Sequence, residues 1–285
     1  DETDWGTVAG FSSHGPTRGP WDTLKQGRLN PHIITTGDGV SGGGRNPENP
    51  KSAAHDTSRT GTRDDSTAEM QGTSMASPTA VGDMALIRQY YEEGWYPVID
   101  GSEPRSANGI NPSAALMKAT MLNGAVDMTN PGVTEHPYSL YGGVSMDYPN
   151  NDIGWGAVDI ENSLYFSGET DAGSGQNGEN RIVDNKVGLM TGENKTYRYT
   201  AEGTGQDLEV TLAWTDYPGT KATQGRLVND LDLHVTAPDG TDYQGNFYGA
   251  TSRESEANPA PRGPNNNATD IMNPTESVLV KSGNM

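Results

Sequence analysis

Residues Gly72 to Pro78 (GTSMASP) constrain this chain more than any other segment, because they place a serine where a helix begins. Gly72 disfavours helix, whereas most of the residues after it are apolar and favour helix. Pro78 fits only in a first turn, where its missing N–H group has no intrahelical partner to lose. The pattern therefore predicts a helix that begins near Thr73 or Ser74 and extends to about Glu92.

A serine at that place has a chemical use. The N–H groups of a first helical turn can stabilise a developing oxyanion, and the helix dipole favours negative charge there. Serine is also an ordinary helix N-cap, which explains an isolated serine equally well. Ser74 is therefore a candidate nucleophile and its own N–H a candidate oxyanion donor, and the rest of the chain has to distinguish this from a simple cap.

The serine segment resembles the nucleophile motif of the subtilisin-like serine proteases, the subtilases. Other segments resemble that family in the same order along the chain: Phe11–Thr17, Asn30–Gly37, Asn111–Ala119 and Gly154–Asp159. The second departs from the family pattern, because His32 replaces the usual Asp and Thr35-Thr36 replace Ala-Pro. The resemblance implies a serine endopeptidase that forms an acyl-enzyme on Ser74.

Two members of the expected catalytic triad are missing. In subtilisin, the Asp and the His of the triad both precede the Ser along the chain. The sequence contains no Asp-Thr-Gly, Asp-Ser-Gly or His-Gly-Thr-His motif, and the family's oxyanion asparagine also lies upstream of the Phe11 segment. None of the five histidines is assigned a catalytic role: His14, His32, His55, His136 and His234. The sequence therefore predicts the C-terminal part of a protease, inactive by itself.

A second function class stays open at this point. The parent protein can instead be a non-catalytic binding or structural module derived from a protease. The intact serine motif favours the protease, because a module without catalysis has no physical need to keep that motif whole.

Composition excludes several other classes. The 285 residues include 38 acidic and 19 basic ones, for a formal charge of -19, which disfavours nucleic acid and anionic membranes as partners. No apolar run approaches the ~20 residues of a membrane span. With no cysteine, the chain forms neither disulfides nor Cys-ligated zinc sites. We expect a secreted, monomeric protein that acts on protein or peptide substrates.

Residues 1–167 are predicted to be the C-terminal part of an α/β catalytic domain. Val8–Ser12 and Ile33–Thr36 are short runs typical of strands. A second helix is expected over Asn111–Gly124, with Pro112 at its first position.

Residues 168–180 are rich in Gly and polar residues and are predicted to be a linker. Beyond them the apolar residues recur with period two, which indicates strands at Tyr197–Tyr199, Leu208–Trp214 and Leu231–Val235. Pro238-Asp239-Gly240 predicts a tight turn. Two segments, Ala213–Pro218 and Leu227–Leu233, resemble the β-barrel domain appended to some secreted subtilases, which implies an antiparallel β-sandwich or jelly roll over 181–285.

Four oxygen-bearing residues are candidate calcium ligands: Asp216, Asn229, Asp230 and Asp232. Calcium takes six to eight oxygen ligands, and on a strand Asp230 and Asp232 share one face. A polar strand face in an acidic protein explains the same residues equally well. The prediction is a structural calcium ion in the second domain.

Overall fold

The computed structural model describes residues 8–9, 11–17, 27–37, 71–96, 109–127, 148–166, 180–200, 207–219, 227–249, 254–260 and 269–282. Within these residues, helices come first and strands follow: α1 (Thr73–Glu92), α2 (Ala114–Asn123), α3 (Ile160–Ser163), β1 (Leu208–Ala213), β2 (His234–Thr236), β3 (Asp242–Tyr248), β4 (Ser255–Ala257) and β5 (Thr275–Val280). We call the described residues up to 166 the helical half and those from 207 to 282 the β module. The predicted linker, apart from Asn180, lies outside the described residues.

Helix α1 has the bounds that the sequence predicts, but Pro78 is its sixth residue and so lies beyond the first turn in which the sequence placed it. It begins directly after Gly72, whose φ of 145° is a conformation that only glycine adopts readily. Ile87, Tyr90 and Tyr91 are buried on one side of the helix. There α1 packs against α2, and the hydroxyls of Tyr91 and Thr120 share a hydrogen bond of 2.7 Å.

Helix α2 begins later than predicted. It starts at Ala114, because the Ser113 side chain accepts a hydrogen bond from the Leu116 N–H and so caps the helix. Pro112 consequently precedes the cap instead of occupying the first helical position. The helix ends before Gly124, as the sequence predicts.

The two strands predicted near the N-terminus do not form. The described residues of Val8–Ser12 are irregular, and the Ile33–Thr36 run makes only an isolated parallel bridge, from Ile34 to Ala157. Around that bridge, Gly154 and Gly156 have φ values of 64° and 128°. These are not extended conformations, so the ladder does not continue.

The β module contains two small antiparallel sheets. In one, β1 pairs with β5 from Leu208 opposite Val280 to Ala213 opposite Thr275. The other has the strand order β2-β3-β4. The predicted turn at residues 238–240 joins β2 to β3, and the Gly240 N–H donates to the Ala237 carbonyl. A core forms from Tyr243, Val278 and Val280, with Leu208, Leu233, Val235 and Ala237 packed around it.

Of the other period-two segments, Tyr197–Tyr199 was predicted wrongly and Leu231–Val235 is confirmed only in part. Tyr197–Tyr199 is exposed and forms no strand, and β2 begins only at His234. The reason at Leu233 is that its N–H donates to the Glu276 carboxylate instead of to a neighbouring strand. The fold is mixed α/β with antiparallel sheets, and the jelly roll stays a prediction.

The β module packs directly on the helical half. The Trp155 indole N–H donates to Ser277 Oγ at 2.5 Å, and the Thr211 hydroxyl donates to Asn123 Oδ1 at 2.8 Å. The rings of Tyr148 and Tyr248 meet edge to face at 5.0 Å. Among the described residues, no helix is long and apolar enough to cross a bilayer.

Candidate active site

Ser74 is the second residue of α1 and is exposed. The helical hydrogen bonds begin after it, because the Gly72 carbonyl accepts from Met75 N at 3.0 Å and from Ala76 N at 3.3 Å. The N–H groups of Thr73 and Ser74 therefore precede the helical ladder, and neither donates to an acceptor in the described part of the chain. Both are available to an anionic oxygen at the positive end of the helix.

The turn before Ser74 is held by two glycines in close contact. The Gly72 N–H donates to the Gly37 carbonyl at 2.7 Å. A Cβ atom added at Gly37 would lie 3.0 Å from the Gly72 carbonyl oxygen and 3.1 Å from the Ala76 Cβ. A larger residue at Gly37 would thus push directly on the turn that carries Ser74. In the sequence, this contact could have been anticipated from Gly37, the glycine that ends the Asn30–Gly37 segment.

The described histidines are engaged away from Ser74. His14 Nδ1 lies 2.6 Å from an Asp152 carboxylate oxygen, and His234 Nδ1 lies 3.2 Å from Asp242. None of the three described histidines hydrogen-bonds Ser74. His55 and His136 lie outside the described residues.

His32, the departure from the family pattern, lies in a largely buried site beside Lys118. The His32 Nε2 atom is 3.4 Å from the Lys118 Nζ, and the ring centroid of His32 is 6.0 Å from that of Trp155. Burial, assisted by the charge of Lys118, lowers the pKa of His32 to about 4. Burial and then the charge of Arg28 lower the pKa of Lys118 to about 8. His32 is therefore a neutral acceptor for the lysine and has a structural role.

Asp216, a predicted calcium ligand, accepts hydrogen bonds from protein donors on both of its carboxylate oxygens. One carboxylate oxygen accepts from the Arg28 guanidinium at 3.0 Å and from Val228 N at 3.1 Å. The other accepts from Asn229 N at 2.9 Å and from the Asn229 side-chain amide at 3.3 Å. Burial alone would raise the pKa of Asp216, but these donors and the Tyr217 N–H hold it below the usual value. Asp216 therefore has its acceptor sites filled without a metal.

Asp230 and Asp232 lie near two acidic residues that the sequence analysis missed, Asp270 and Glu276. Burial and then the charges of Asp232, Asp270 and Asp216 raise the pKa of Asp230 to about 6. The Glu276 side chain is 1% exposed, and its Oε1 atom has no hydrogen-bond partner. Burial raises the pKa of Glu276 to about 9, with Asp270, Asp232 and Asp230 adding to the rise and the Leu233 N–H opposing it.

These acidic residues form a cluster of excess negative charge, but their side chains do not converge on a single position. Within the described ranges, no three carboxylate or imidazole side chains come close enough to hold a single metal ion. Asp270 and Glu276 follow Asp230 by 40 residues or more, so no local sequence pattern linked them to the predicted site.

A sequence profile of the subtilase family matches residues 2–179, which include Ser74 and all the segments that surround it. The chain belongs to the subtilase family. This subtilase is similar to proteins of Dictyostelium discoideum: it is 30% identical over 254 residues to serine protease/ABC transporter B family protein tagD and 28% identical over 306 residues to tagB of the same description. These matches cover 80% and 96% of this chain but 13% and 15% of the relatives. The chain therefore spans about a seventh of the length of these relatives.

Proposed function

We propose that this subtilase is part of a serine endopeptidase in which Ser74 is the nucleophile. The observation that carries the proposal is the exposed Ser74 at the positive end of α1, on a turn fixed by contact with Gly37. The Ser74 Oγ attacks the carbonyl carbon of a peptide bond and passes its proton to a general base. The amine half of the substrate then leaves with a proton, and water hydrolyses the acyl-enzyme.

The first turn of α1 stabilises the oxyanion of the tetrahedral intermediate. The Ser74 N–H precedes the helical ladder, so it can donate to that oxygen without breaking a helical hydrogen bond. The resemblance implies a second donor from an asparagine upstream of the Phe11 segment. One such donor is worth about 3 kcal/mol of transition-state stabilisation.

The general base in this proposal is a histidine outside the described residues. His14, His32 and His234 are engaged with Asp152, Lys118 and Asp242 respectively. His32 is also a poor base at neutral pH, because burial lowers its pKa to about 4. The family order of Asp, His and Ser implies that the base and its orienting Asp come earlier in the protein.

Fluorophosphonate labelling of the full-length protein tests the nucleophile. Ser74→Ala should abolish labelling, because the reagent reacts only with an activated serine. Ser77→Ala is the matched control, since Ser77 is exposed one turn further along α1, and it should leave labelling intact. Absence of labelling in a folded wild-type protein would favour the non-catalytic module instead.

A structural calcium ion in the β module is the second part of the proposal. Asp230, Asp232 and Glu276 are the carboxyl groups that such an ion would draw together, because Glu276 Oε1 has no hydrogen-bond partner among the described residues. In this structure no three acidic side chains of the described ranges lie close enough to hold it. Asp270 does not fit, because its two oxygens already accept from Met272, Asn273 and Asn246. Asp216 does not fit, since protein donors occupy both its oxygens. The Asn229 side chain donates to Asp216 through Nδ2, and its Oδ1 is the atom that would bind an ion.

Thermal melting with and without chelator tests the calcium ion. Calcium should raise the Tm of the wild type, and Asp230→Asn should remove most of that shift. Asp239→Asn is the control, because Asp239 lies in the exposed 238–240 turn. Equal melting temperatures of the wild type in calcium and in chelator would reject the ion.

The proposed setting of the intact protein follows the family. The substrates are proteins or peptides, and the enzyme acts outside the cell as a monomer. Residues 1–167 are the C-terminal part of the catalytic domain, residues 168–180 are a linker, and residues 181–285 are the β-sandwich domain. The relatives are named as combined proteases and transporters, and the proposal takes up only the protease part, which the family match and the Ser74 segment support.

A further inference from the structure

The segment Arg28–Gly37, which we call the strap, connects the β module to the turn that carries Ser74. At its C-terminal end, the Gly37 carbonyl accepts from Gly72 N at 2.7 Å, two residues before Ser74. At its N-terminal end, Arg28 and Leu29 bond to the β module. A single stretch of ten residues therefore joins the two places.

The β module holds the near end of the strap with two fixed acceptors. Asp216 accepts from the Arg28 guanidinium at 3.0 Å, and the Asp216 side chain is 2% exposed. Asn273 Oδ1 accepts from Leu29 N at 2.6 Å. Asn273 is itself held by Asp270, whose carboxylate accepts from the Asn273 backbone N–H at 3.1 Å and from its side-chain amide at 2.7 Å.

The middle of the strap is tied to the helical half along its backbone. Trp155 N donates to the His32 carbonyl at 2.9 Å. Ile34 N donates to Gly156 at 2.9 Å, and its carbonyl accepts from Val158 N at 3.0 Å. Leu29 is buried in a cluster with Leu122 and Trp155. Hydrogen bonds at Leu29, His32 and Ile34 hold the strap in one conformation, and this is the route by which a shift at Arg28 would reach Gly37.

We propose that the β module positions the nucleophile through the strap, with Asp216 and Asn273 as positioning residues. The proposal rests on Ser74 as the nucleophile. It assigns to Asp216 a role in holding Arg28 where the sequence had suggested a metal ligand. The β module is then a part of the catalytic framework, and its removal or loosening changes the geometry of Ser74.

Asp216→Asn in the full-length protein tests this role. The amide keeps the shape of the side chain but removes its charge and one acceptor oxygen. Asp242→Asn is the matched control, because Asp242 also hydrogen-bonds within the β module and has no contact with the strap. The readouts are amide hydrogen exchange in peptides that cover 28–37 and 71–76, the rate of fluorophosphonate labelling, and kcat and KM for a peptide substrate.

In Asp216→Asn we expect exchange in both peptides to rise at least tenfold, labelling to slow about tenfold and kcat to fall more than KM changes. Asp242→Asn should leave all four readouts within twofold of the wild type. Unchanged exchange in peptide 71–76 of Asp216→Asn would overturn the proposal. A uniform rise along the whole chain would also overturn it, because that pattern is general destabilisation. If Asp216→Asn does not fold, Arg28→Lys provides a milder change at the same contact and should shift the readouts in the same direction.

The two proposals fail in different ways in this experiment. If the wild type is not labelled, the nucleophile proposal fails, while exchange in peptide 71–76 still decides whether the strap couples the β module to that turn. If the wild type is labelled and Asp216→Asn is labelled at the same rate, the proposal about the strap fails and the proposal that Ser74 is the nucleophile remains.

Discussion

The helical half and the β module fill their interiors with different groups. In the helical half, backbone lies directly against backbone at glycines: a Cβ added at Gly15, Gly154 or Gly156 would overlap the carbonyl of Asn30, His32 or Val126, respectively. In the β module, carboxyl groups accept backbone N–H groups, as Asp216 and Glu276 do. At these positions the helical half is therefore sensitive to added volume, whereas the β module is sensitive to charge.

The largest effect is expected from a single methyl group in the helical half. Gly154→Ala places a Cβ on the His32 carbonyl and forces alanine into a φ of 64°. Overpacking and backbone strain together should lower the free energy of unfolding by about 4 kcal/mol. Denaturant unfolding measures this, with Gly82→Ala as the control. Apart from the backbone of its own helix, no atom of the described residues lies within 4 Å of a Cβ at Gly82, so that variant should be neutral or gain up to about 1 kcal/mol from helix propensity.

In the β module, removal of a charge should have the next largest effect. Burial raises the pKa of Glu276 to about 9 from 4.5, so the native state binds the proton more tightly than the unfolded chain. The stability contributed is complete below pH 4.5 and is lost as pH rises toward 9. Glu276→Gln, with chelator present, should therefore gain about 3 kcal/mol over the wild type at pH 9. An equal loss of stability on alkalinisation in both proteins would show that Glu276 is not the cause.

The helical half also contains a pH-sensitive group, His32, whose pKa shifts in the opposite direction to that of Glu276. A large effect there would show that sensitivity to charge is not confined to the β module. The pKa of His32 falls from 6.5 to about 4 on folding, so the unfolded chain binds the proton first. Its contribution is complete above pH 6.5 and is lost as pH falls toward 4. Melting at pH 7 and pH 4 should show a loss of about 2 kcal/mol that His32→Gln lacks. His14→Gln is the control, because His14 is exposed, and it should keep the wild-type loss.

The smallest effect concerns the contact of α1 with α2. Tyr91→Phe removes the hydroxyl that bonds Thr120 at 2.7 Å and leaves the ring in place. The loss should be about 1 kcal/mol, because the Thr120 hydroxyl also donates to the Leu116 carbonyl and keeps one partner. Urea unfolding of Tyr91→Phe beside the wild type measures it. A loss above about 3 kcal/mol would mean that hydrogen bonding, and not packing, dominates this helix contact.

The sequence predicted the parts of this fold whose causes are local. Gly72 marks the start of α1 and Gly240 ends a three-residue turn, so both features could be predicted directly from the sequence. The predicted start of α2 was wrong because two neighbouring residues indicate different starts. Pro112 favours a first helical position, whereas Ser113 is the actual N-cap.

The candidate site was predictable only as far as its helix. Asp216 was grouped with Asp230 by proximity in the chain, but its partner Arg28 lies 188 residues earlier. Lys118 likewise meets His32 across 86 residues. No periodicity or spacing encodes such pairings, because they arise only when separate elements pack together.

The Trp155–Ser277 hydrogen bond has a consequence for engineering. Trp155 belongs to the segment that closes the family's catalytic domain, it is 1% exposed, and its indole N–H is satisfied by a residue of β5. A chimaera that attached a foreign C-terminal module at the predicted linker would leave that buried N–H without a hydrogen-bond acceptor, which costs about 1 to 3 kcal/mol. A transplant of the β module into another subtilase therefore has to carry both members of this pair, although Trp155 lies before the predicted linker.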